Sequence, residues 1–368
     1  MKKPFILSIF YRIPMKISKP TFLIDKARAS RNIQKIVQKT TGTPTLFRPH
    51  FKTHQSNEIG NWFQEFGVSK ITVSSVDMAT YFAQNGWQNI TIAFPMNILE
   101  IERINHLAAT IQINLVVEST EVAAFLVEHI VHPVGVFIKI DTGYGRTGVW
   151  HQNTALVSDI MAILEHQPML KTEGFLSHFG HSYAARSAAE IKELYQVNVQ
   201  HLFALKKHFG ESHNNLKLSI GDTPTCSVVP QFDGIDEIRP GNMVYYDLMQ
   251  WQIGACLLDE IAVTMACPVV ALHPKRNEII IHGGGVHFSK DSIEHPVYGK
   301  IYGLAVRDDG DSWQGLIHGT YIKKVSQEHG TIVSHSDFIK KCRVGSVIKI
   351  LPIHSCMTAN LMRDYLVV

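Results

Sequence analysis

Residues 46–56 read LFRPHFKTHQS and place a lysine between two histidines, with His50, Lys52 and His54 each two positions apart. In an extended strand, side chains at this spacing point to one face. The stretch therefore predicts a strand whose end presents Lys52 between two imidazoles, with Arg48 as a further cation. Cationic neighbours and partial burial lower the pKa of an amine, and a neutral amine is a nucleophile that can form a Schiff base. A solvated strand end with ordinary polar residues is the alternative that spacing alone leaves open.

This strand belongs to a series of short β-rich runs that alternate with helical patterns. Nine strand candidates precede residue 250, at 21–24, 45–50, 70–75, 90–94, 113–117, 134–140, 174–178, 217–220 and 236–239. Most are continuous apolar runs, which is typical of a sheet covered on both faces. Between them, apolar residues recur at helical spacing, as in 156–164 and 191–203. So many βα units favour a closed (β/α)8 TIM-type barrel over an open doubly wound sheet, and because a barrel has eight places we expect 21–24 to lie outside it.

The pattern of apolar residues in the sequence changes after about residue 250. From there on, β-rich runs are separated by Gly, Pro, Asp and Lys, with no sustained helical period. We therefore expect two domains, a barrel over residues 20–250 and a mostly β domain over residues 251–368, which the N-terminal segment 1–19 could join.

The composition is typical of a folded protein with a small-molecule partner. The 368 residues are 45% hydrophobic and 18% charged, with a formal net charge of +3. No run of Lys and Arg with interleaved aromatics indicates a surface for nucleic acid or an anionic membrane. No apolar run approaches the roughly 20 residues of a membrane span.

The cysteines and the N-terminus favour the cytoplasm. The five cysteines are scattered without CxxC spacing, which indicates a reducing compartment rather than a disulfide framework. The apolar stretch at residues 5–10 is shorter than the roughly 7–15 residues of a signal peptide. We expect a cytoplasmic protein.

Polar residues and glycines follow four successive predicted strands. The motifs are DTGYGRTGV (141–149), HFGHSY (178–183), SIGDTPTCS (219–227) and EIRPGN (237–242). Each alone is typical of an ordinary loop, but the carboxyl ends of barrel strands form the active-site rim, so together they predict one site. Backbone amides in such turns, with the hydroxyl of Thr223 or Thr225, could hold a phosphate.

A further candidate, His354-Ser355-Cys356, follows the last strand candidate of the β domain. His354 and Cys356 are two positions apart and could share one face as imidazole and thiolate ligands, a pair that suits zinc. Two ligands are fewer than usual, and such a pair is more often ordinary packing.

Taken together, RPHFKTH, DTGYGRTGV, HFGHSY, SIGDTPT, EIRPGN and HSC resemble, in this order, the D-threonine aldolase / D-serine dehydratase family. The resemblance covers most of the chain. It implies the alanine racemase-like fold, a pyridoxal 5′-phosphate (PLP) cofactor, a D-amino acid substrate and a homodimer with its site at the subunit interface.

The resemblance also implies the roles of individual residues. Lys52 would hold PLP covalently and act as the catalytic base, and His354 and Cys356 would bind a divalent metal, for which zinc suits the thiolate. The other implied cofactor contacts are Arg146 near the phenolic oxygen, His178, either Tyr183 or Arg239 at the pyridine nitrogen, and Thr223, Gly241 and Asn242 at the phosphate.

Several reactions fit such a site. D-Serine dehydratases and hydroxyaspartate dehydratases of the family carry His-x-Cys, whereas its better-known D-threonine aldolases carry His-x-Asp. Cys356 therefore favours a lyase of D-3-hydroxy amino acids, D-serine dehydratase first, with an aldolase of D-threonine type or a 3-hydroxyaspartate lyase as the alternative. An amino-acid racemase would need a second base on the opposite face of the cofactor, for which no motif is evident. The least favoured alternative is a non-catalytic PLP-binding protein, because such relatives are not expected to have the β domain or the HSC motif.

Overall fold

A computed structural model describes residues 17–210, 213 and 215–368. The expectations for the apolar stretch 5–10 and for most of segment 1–19 lie outside the described residues. The first element of the described residues is β1 (Thr21–Ile24), which pairs antiparallel with residues 263–266 of the C-terminal sheet. The expectation that 21–24 lies outside the barrel is confirmed.

Eight parallel strands form the barrel, and the two-residue β7 pairs only with the end of β6. The order around the sheet is β2-β10-β9-β8-β6-β5-β4-β3. These strands are β2 (Leu46–Phe47), β3 (Ile71–Val73), β4 (Asn89–Pro95), β5 (Gln112–Val117), β6 (Val134–Asp141), β7 (Val149–Trp150), β8 (Leu170–Ser177), β9 (Lys217–Ile220) and β10 (Glu237–Ile238).

The ring closes just beyond β2. There His50 forms an isolated parallel bridge with Thr72 of β3, and the N–H of Phe51 donates to the carbonyl of Thr72 at 2.8 Å. The N–H of Thr72 in turn donates to the carbonyl of Pro49 at 2.9 Å. The predicted TIM-type barrel is confirmed.

Helices cover the barrel between its strands. Many of these helices follow an N-cap residue whose side-chain oxygen accepts the backbone N–H three positions later. This bond satisfies one N–H of the first helical turn that has no partner within the helix, and it fixes where the helix starts. The N-cap residues are Ser56, Ser75, Ser119, Asn153 and Ser187. The helices are α1 (Lys26–Thr40), α2 (Asn57–Gln64), α3 (Val76–Gln84), α4 (Ile101–Ala108), α5 (Thr120–His129), α6 (Thr154–Leu164), α7 (Ala188–Phe209), α8 (Thr223–Val228) and α9 (Leu248–Gln252). Helices α6 and α7 coincide with the two predicted helical patterns.

The C-terminal part is built on a second, mostly antiparallel sheet. Its elements are β11 (Val263–His273), β12 (Glu278–His282), α10 (Gly285–Phe288), β13 (Ile293–His295), β14 (Gly299–Ile301), β15 (Gly303–Asp309), β16 (Ser312–Val325), β17 (His329–Val333), α11 (Ser336–Lys341), β18 (Val347–Pro352), α12 (Ser355–Met362) and β19 (Tyr365–Val367). The sheet order is β12-β17-β16-β15-β18-β11-β1-β19, and a further pairing of β11 with β12 closes six of these strands into a ring. The predicted β architecture is confirmed, and we propose that the domain boundary falls near residue 250.

The strand predicted over 45–50 is assigned only as far as Phe47, but the extended pairing continues through His50, because the N–H groups of Arg48 and His50 donate to the carbonyls of Ile238 and Pro240 at 2.9 and 3.0 Å. Residues 51–54 then form a turn in which the N–H of Gln55 donates to the carbonyl of Phe51 at 3.0 Å. An i, i+2 common face exists only in extended chain, so the predicted shared face of His50, Lys52 and His54 is wrong.

Candidate active site

A cavity of about 420 Å³ opens at the carboxyl ends of the barrel strands, beneath α12 of the C-terminal part. The four motifs that follow β6, β8, β9 and β10 meet there because these strands are neighbours in the sheet. The ten residues to which the family resemblance assigns roles all line the cavity, namely Lys52, Arg146, His178, Tyr183, Thr223, Arg239, Gly241, Asn242, His354 and Cys356.

Lys52 projects into this cavity from the turn after β2. Desolvation by the surrounding protein lowers the pKa of the Lys52 amine, although the residue as a whole is still exposed. The thiol of Cys356 opposes this shift when ionised, whereas the charges of Arg146 and Arg239 add to it. The lowered pKa agrees with the sequence expectation, but the cations that contribute are not those the sequence suggested.

Arg48 is one of the residues that the sequence misplaced. Its guanidinium turns toward the amino ends of the strands, where Nε lies 2.5 Å from a carboxylate oxygen of Glu237 and Nη1 lies 2.6 Å from Oδ1 of Asn89. Both members of the Arg48–Glu237 pair are buried. A buried arginine requires such a partner, so the expectation that Arg48 lies beside Lys52 is wrong.

The two histidines of the opening motif have different positions. His50 lines the cavity, and its Nδ1 accepts the backbone N–H of Lys52 at 3.4 Å. His54 instead packs in an aromatic cluster, with its ring centroid 4.4 Å from that of Phe51 and 5.8 Å from that of Phe63. Burial lowers the pKa of His54 to about 3, so it is neutral, and its predicted place beside Lys52 is wrong.

The DTGYGRTGV motif forms a tight loop after β6. One carboxylate oxygen of Asp141 accepts the N–H groups of Gly143 and Tyr144, each at 2.9 Å, which fixes the turn. Gly143 and Gly145 have φ angles of 128° and 74°, a region that favours glycine. The loop presents Arg146 to the cavity, with its guanidinium 5.2 Å from the centroid of the Tyr144 ring.

A second part of the cavity wall carries polar groups without partners. The hydroxyl of Thr223 is buried and forms no hydrogen bond with any described residue, while the N–H of Thr223 donates to the Tyr183 hydroxyl at 3.1 Å. The N–H groups of Gly241 and Asn242 likewise find no acceptor among the described residues. A Cβ at Gly241 would lie 2.6 Å from the carbonyl oxygen of His50, so glycine keeps this wall close to the cavity. These donors fit a phosphate group.

Arg239 lies deeper, under the centre of the barrel mouth. It is buried, and it donates to the hydroxyl of Ser219 and to the carbonyl of Ser177, both at 2.7 Å. His178 hydrogen-bonds through Nδ1 to the carbonyl of Gly221, and burial lowers its pKa well below the ordinary value. Both Arg239 and Tyr183 border the cavity, so both candidates for a contact with a pyridine nitrogen stay in place.

His354 and Cys356 do not share a strand face, because α12 begins between them. His354 is the extended residue before the helix and Cys356 lies in its first turn, so the expected face is wrong although both residues reach the cavity. Burial alone would lower the pKa of His354. A hydrogen bond with Cys356 and the negative charges of Cys356, Asp247 and Asp291 outweigh burial, so that the pKa of His354 rises to about 9. Burial raises the pKa of Cys356, but His354 overcomes this and the net shift is downward. An ionised thiol beside an imidazole is a donor pair suited to zinc.

The surroundings orient this pair. Nδ1 of His354 lies 3.0 Å from a carboxylate oxygen of Asp291, which would leave Nε2 as the metal-binding atom. Oγ1 of Thr53 lies 3.3 Å from the Cys356 sulfur, and the side-chain amide of Asn242 donates to the same sulfur at 3.4 Å. The side chain of Asn242 is thus engaged beside the thiol, which leaves its backbone N–H for a phosphate.

The sequence analysis missed three buried ionisable residues at the cavity, Lys139 of β6, Asp222 before α8 and Asp247 before α9. Burial lowers the pKa of Lys139 to about 7 and raises that of Asp222 to about 6. Lys139 is concealed within the apolar run VGVFIKI, where a single charged residue was the available signal.

A surface group of His282, His287 and Glu328 also has metal-binding residue types. Nδ1 of His287 accepts the N–H of Gly284 at 3.1 Å, so in the neutral ring the proton belongs on Nε2. Nε2 lies 3.7 Å from the Glu328 carboxylate. A metal-binding histidine normally donates its second ring N–H, so this arrangement does not favour metal binding.

Comparison with known families agrees with this architecture. The model for the alanine racemase N-terminal domain matches residues 24–248, and the model for a serine dehydratase domain matches residues 262–368. The chain therefore belongs to the alanine racemase N-terminal domain family.

Individual similar proteins have named enzyme activities. A D-serine dehydratase of Dictyostelium discoideum is 29% identical over 380 residues, which cover 96% of this chain and 93% of the relative. The structure of D-threo-3-hydroxyaspartate dehydratase from Delftia sp. HT23 matches with a TM-score of 0.89 at 24% identity, over 96% of this chain and 94% of that one. D-Threonine aldolase from Filomicrobium marinum matches with a TM-score of 0.82 at 19% identity, over 97% and 93%. The named activities are all those of lyases, and the two structures share the fold.

One further similar structure is of a D-threo-3-hydroxyaspartate dehydratase with a cysteine-to-alanine substitution, in a metal-free form. In the present protein, none of the helices within the described ranges has the length and apolar composition needed to span a bilayer.

Proposed function

We propose that this protein is a PLP- and metal-dependent lyase of D-3-hydroxy amino acids that converts D-serine to pyruvate and ammonia. The observation that carries the proposal is the convergence of Lys52, the unpartnered donors around Thr223 and the His354–Cys356 pair on one cavity. A cofactor amine, a phosphate site and a metal pair are the parts that such a reaction needs.

The residues at the cavity fit PLP. Lys52 supplies an amine of lowered pKa, and Thr223, Gly241 and Asn242 supply free donors for the phosphate. Arg146 would lie beside the phenolic oxygen, and His178 beside the ring. When bound, PLP withdraws electrons from the α-carbon of an amino acid substrate.

Lys52 would then act as the base. Once displaced by the substrate amine, its Nζ would accept the α-proton, because the turn after β2 holds it inside the cavity. Desolvation and the charges of the nearby arginines lower the pKa of this amine, which favours its action as a base.

The His354–Cys356 pair would hold a divalent metal, and zinc suits its thiolate. A metal there would serve as a Lewis acid for the substrate β-hydroxyl, easing the departure of hydroxide. Asp291 would orient His354. Thr53, which follows Lys52 in the chain, contacts the Cys356 sulfur and so would keep the metal pair close to Lys52. The same metal could instead assist retro-aldol cleavage, for which the D-threonine aldolase neighbour is the precedent in fold alone.

Product analysis tests the proposal. The purified protein is incubated with D-serine, D-threonine and threo-3-hydroxyaspartate, with and without a chelator. We expect a 2-oxo acid with ammonia, fastest from D-serine, and loss of that activity when the metal is removed. If glycine and an aldehyde are formed instead, the reaction is aldol cleavage and not dehydration. Formation of the opposite enantiomer alone would indicate a racemase.

We also propose a cytoplasmic homodimer with the cavity near the subunit contact. Two large apolar side chains near the carboxyl end of β4 support it, since Phe94 is 58% exposed and Leu99 is 88% exposed. Ala93, next to Phe94, lines the cavity. Light scattering should show twice the chain mass, and charged substitutions at Phe94 and Leu99 should yield monomers.

A further inference from the structure

Asp222 lies at the mouth of the barrel with only half of its carboxyl group bonded. One oxygen, Oδ2, accepts the N–H of Thr225 at 2.8 Å and the hydroxyl of Ser182 at 2.7 Å, and so caps the start of α8. The other oxygen, Oδ1, is buried and has no hydrogen-bond partner among the described residues. The residue is only 3% exposed and lines the cavity.

A second polar group without a hydrogen-bond partner among the described residues lies in the same part of the wall. It is the hydroxyl of Thr223, the next residue in the chain. Buried polar groups are nearly always bonded, so these two neighbouring groups on one wall indicate a polar ligand. Under the proposed function that ligand is the cofactor phosphate.

An ionised Asp222 would repel a phosphate, whereas a neutral one could donate to it. The titratable and charged groups that face Asp222 are Tyr183 from residues 180–184, Cys226 of α8 and Arg239 beyond β10. Burial raises the pKa of both the Tyr183 hydroxyl and the Cys226 thiol, so both are neutral, and Arg239 is the one cation among the three. Burial raises the pKa of Asp222 itself to about 6, against the hydrogen bonds of Thr225 and Ser182. A nearby phosphate dianion would raise it further.

We propose that Asp222 binds the cofactor phosphate as a neutral carboxyl group whose Oδ1–H donates to a phosphate oxygen, so that binding takes up one proton from solvent. The inference rests on the proposed function. It gives the phosphate a hydrogen-bond donor at position 222 without a positively charged side chain there.

The consequence is an affinity that falls as pH rises. Above about pH 6.5 the free phosphate is mostly a dianion and the free Asp222 is mostly ionised, so each further pH unit should weaken binding by up to about tenfold. Lys52 has its own pH dependence, so the probe must lack an aldehyde. Pyridoxine 5′-phosphate meets this need, and pyridoxine without phosphate is the matched control.

The experiment measures the affinity of the full-length apoprotein for pyridoxine 5′-phosphate between about pH 6.5 and 8.5. We expect the wild type to lose at least about tenfold over this window. Asp222→Asn keeps the helix cap and an amide donor, so its affinity should vary less than about threefold. Ser182→Ala removes a hydrogen bond that favours the ionised form, so the decline should move to higher pH. Titration calorimetry in buffers of different ionisation enthalpy should show uptake of about one proton by the wild type and none by Asp222→Asn.

Equal pH profiles and equal proton uptake in the wild type and Asp222→Asn would overturn the inference while leaving the proposed function intact. Absence of binding of the phosphate ester to every variant, with no visible band on addition of PLP, would overturn the proposed function as well. Circular dichroism checks the fold of Asp222→Asn. If that variant is unfolded, proton uptake by the wild type and the shift in Ser182→Ala decide the matter.

Discussion

The hydroxyl of Thr53 lies 3.3 Å from the sulfur of Cys356, although the two residues are 303 positions apart in the chain. Thr53 follows the candidate cofactor lysine directly, and Cys356 is one of the two candidate metal ligands. This contact joins the first turn of the barrel mouth to α12 of the C-terminal part. The amine and the thiol therefore face one cavity, so a substrate bound to the cofactor can reach both.

Replacing Lys52 should prevent covalent attachment of PLP. We expect Lys52→Ala to lack the visible absorbance band of lysine-bound cofactor and to show no added mass after borohydride reduction. Lys192→Ala, at an exposed lysine on α7, is the matched control and should retain both signals. A surviving band in Lys52→Ala would remove Lys52 from its proposed role.

Replacing Cys356 should release the metal. The thiolate is one of two candidate protein ligands, so Cys356→Ala should lose most of its bound metal in elemental analysis and at least about tenfold of its dehydratase activity. Cys342→Ser provides the control, since Cys342 is partly exposed and does not line the cavity. Full activity in Cys356→Ala with verified metal loss would contradict the role of the metal.

Asp291 should act on the metal through His354. The 3.0 Å contact holds the histidine ring in the tautomer that exposes Nε2, and loss of such an orienting carboxylate typically weakens metal binding by about 10–100-fold. We expect this loss for Asp291→Ala in competition with a chelator, and a partial recovery for Asp291→Asn, whose amide oxygen can still accept. An exposed acidic residue of α11, Asp337, offers the control Asp337→Ala. If Asp291→Ala binds the metal normally, another group must orient His354.

Lys139 should make the stability of the apoprotein pH-dependent. Its pKa is about 7 in the folded protein and 10.5 without burial. Between these values the unfolded chain binds a proton that the folded chain lacks, so stability rises with pH across this window and is lost as pH falls toward 7. The contribution is about 1.4 kcal/mol per pH unit.

Denaturant unfolding at several pH values measures this effect. Lys139→Met should be more stable than the wild type near neutral pH and should lack this part of the pH slope. Lys192→Met, at an exposed position, should keep the wild-type slope. An unchanged slope in Lys139→Met would show that Lys139 keeps its proton in the folded state.

The sequence by itself determined the order of βα units, the exclusion of 21–24 from the barrel and the motifs that follow β6, β8, β9 and β10. These features are local, because apolar runs and turn residues act on their own segment of chain. Parallel neighbouring strands then bring the motifs to one edge. For this reason the motif residues to which the family resemblance assigns roles line one cavity, whereas Arg48 and His54 do not.

Only the tertiary structure decided where several side chains point. A turn over residues 51–54 ends the extended chain, so the period-two argument fails at Lys52. The distant Glu237 draws Arg48 to the opposite end of the barrel. The contacts that orient the candidate metal pair come from Thr53 and Asp291, far from it in sequence. The ionisation of Lys139 and Asp222 likewise depends on burial, which is a property of the folded chain and not of any short stretch of it.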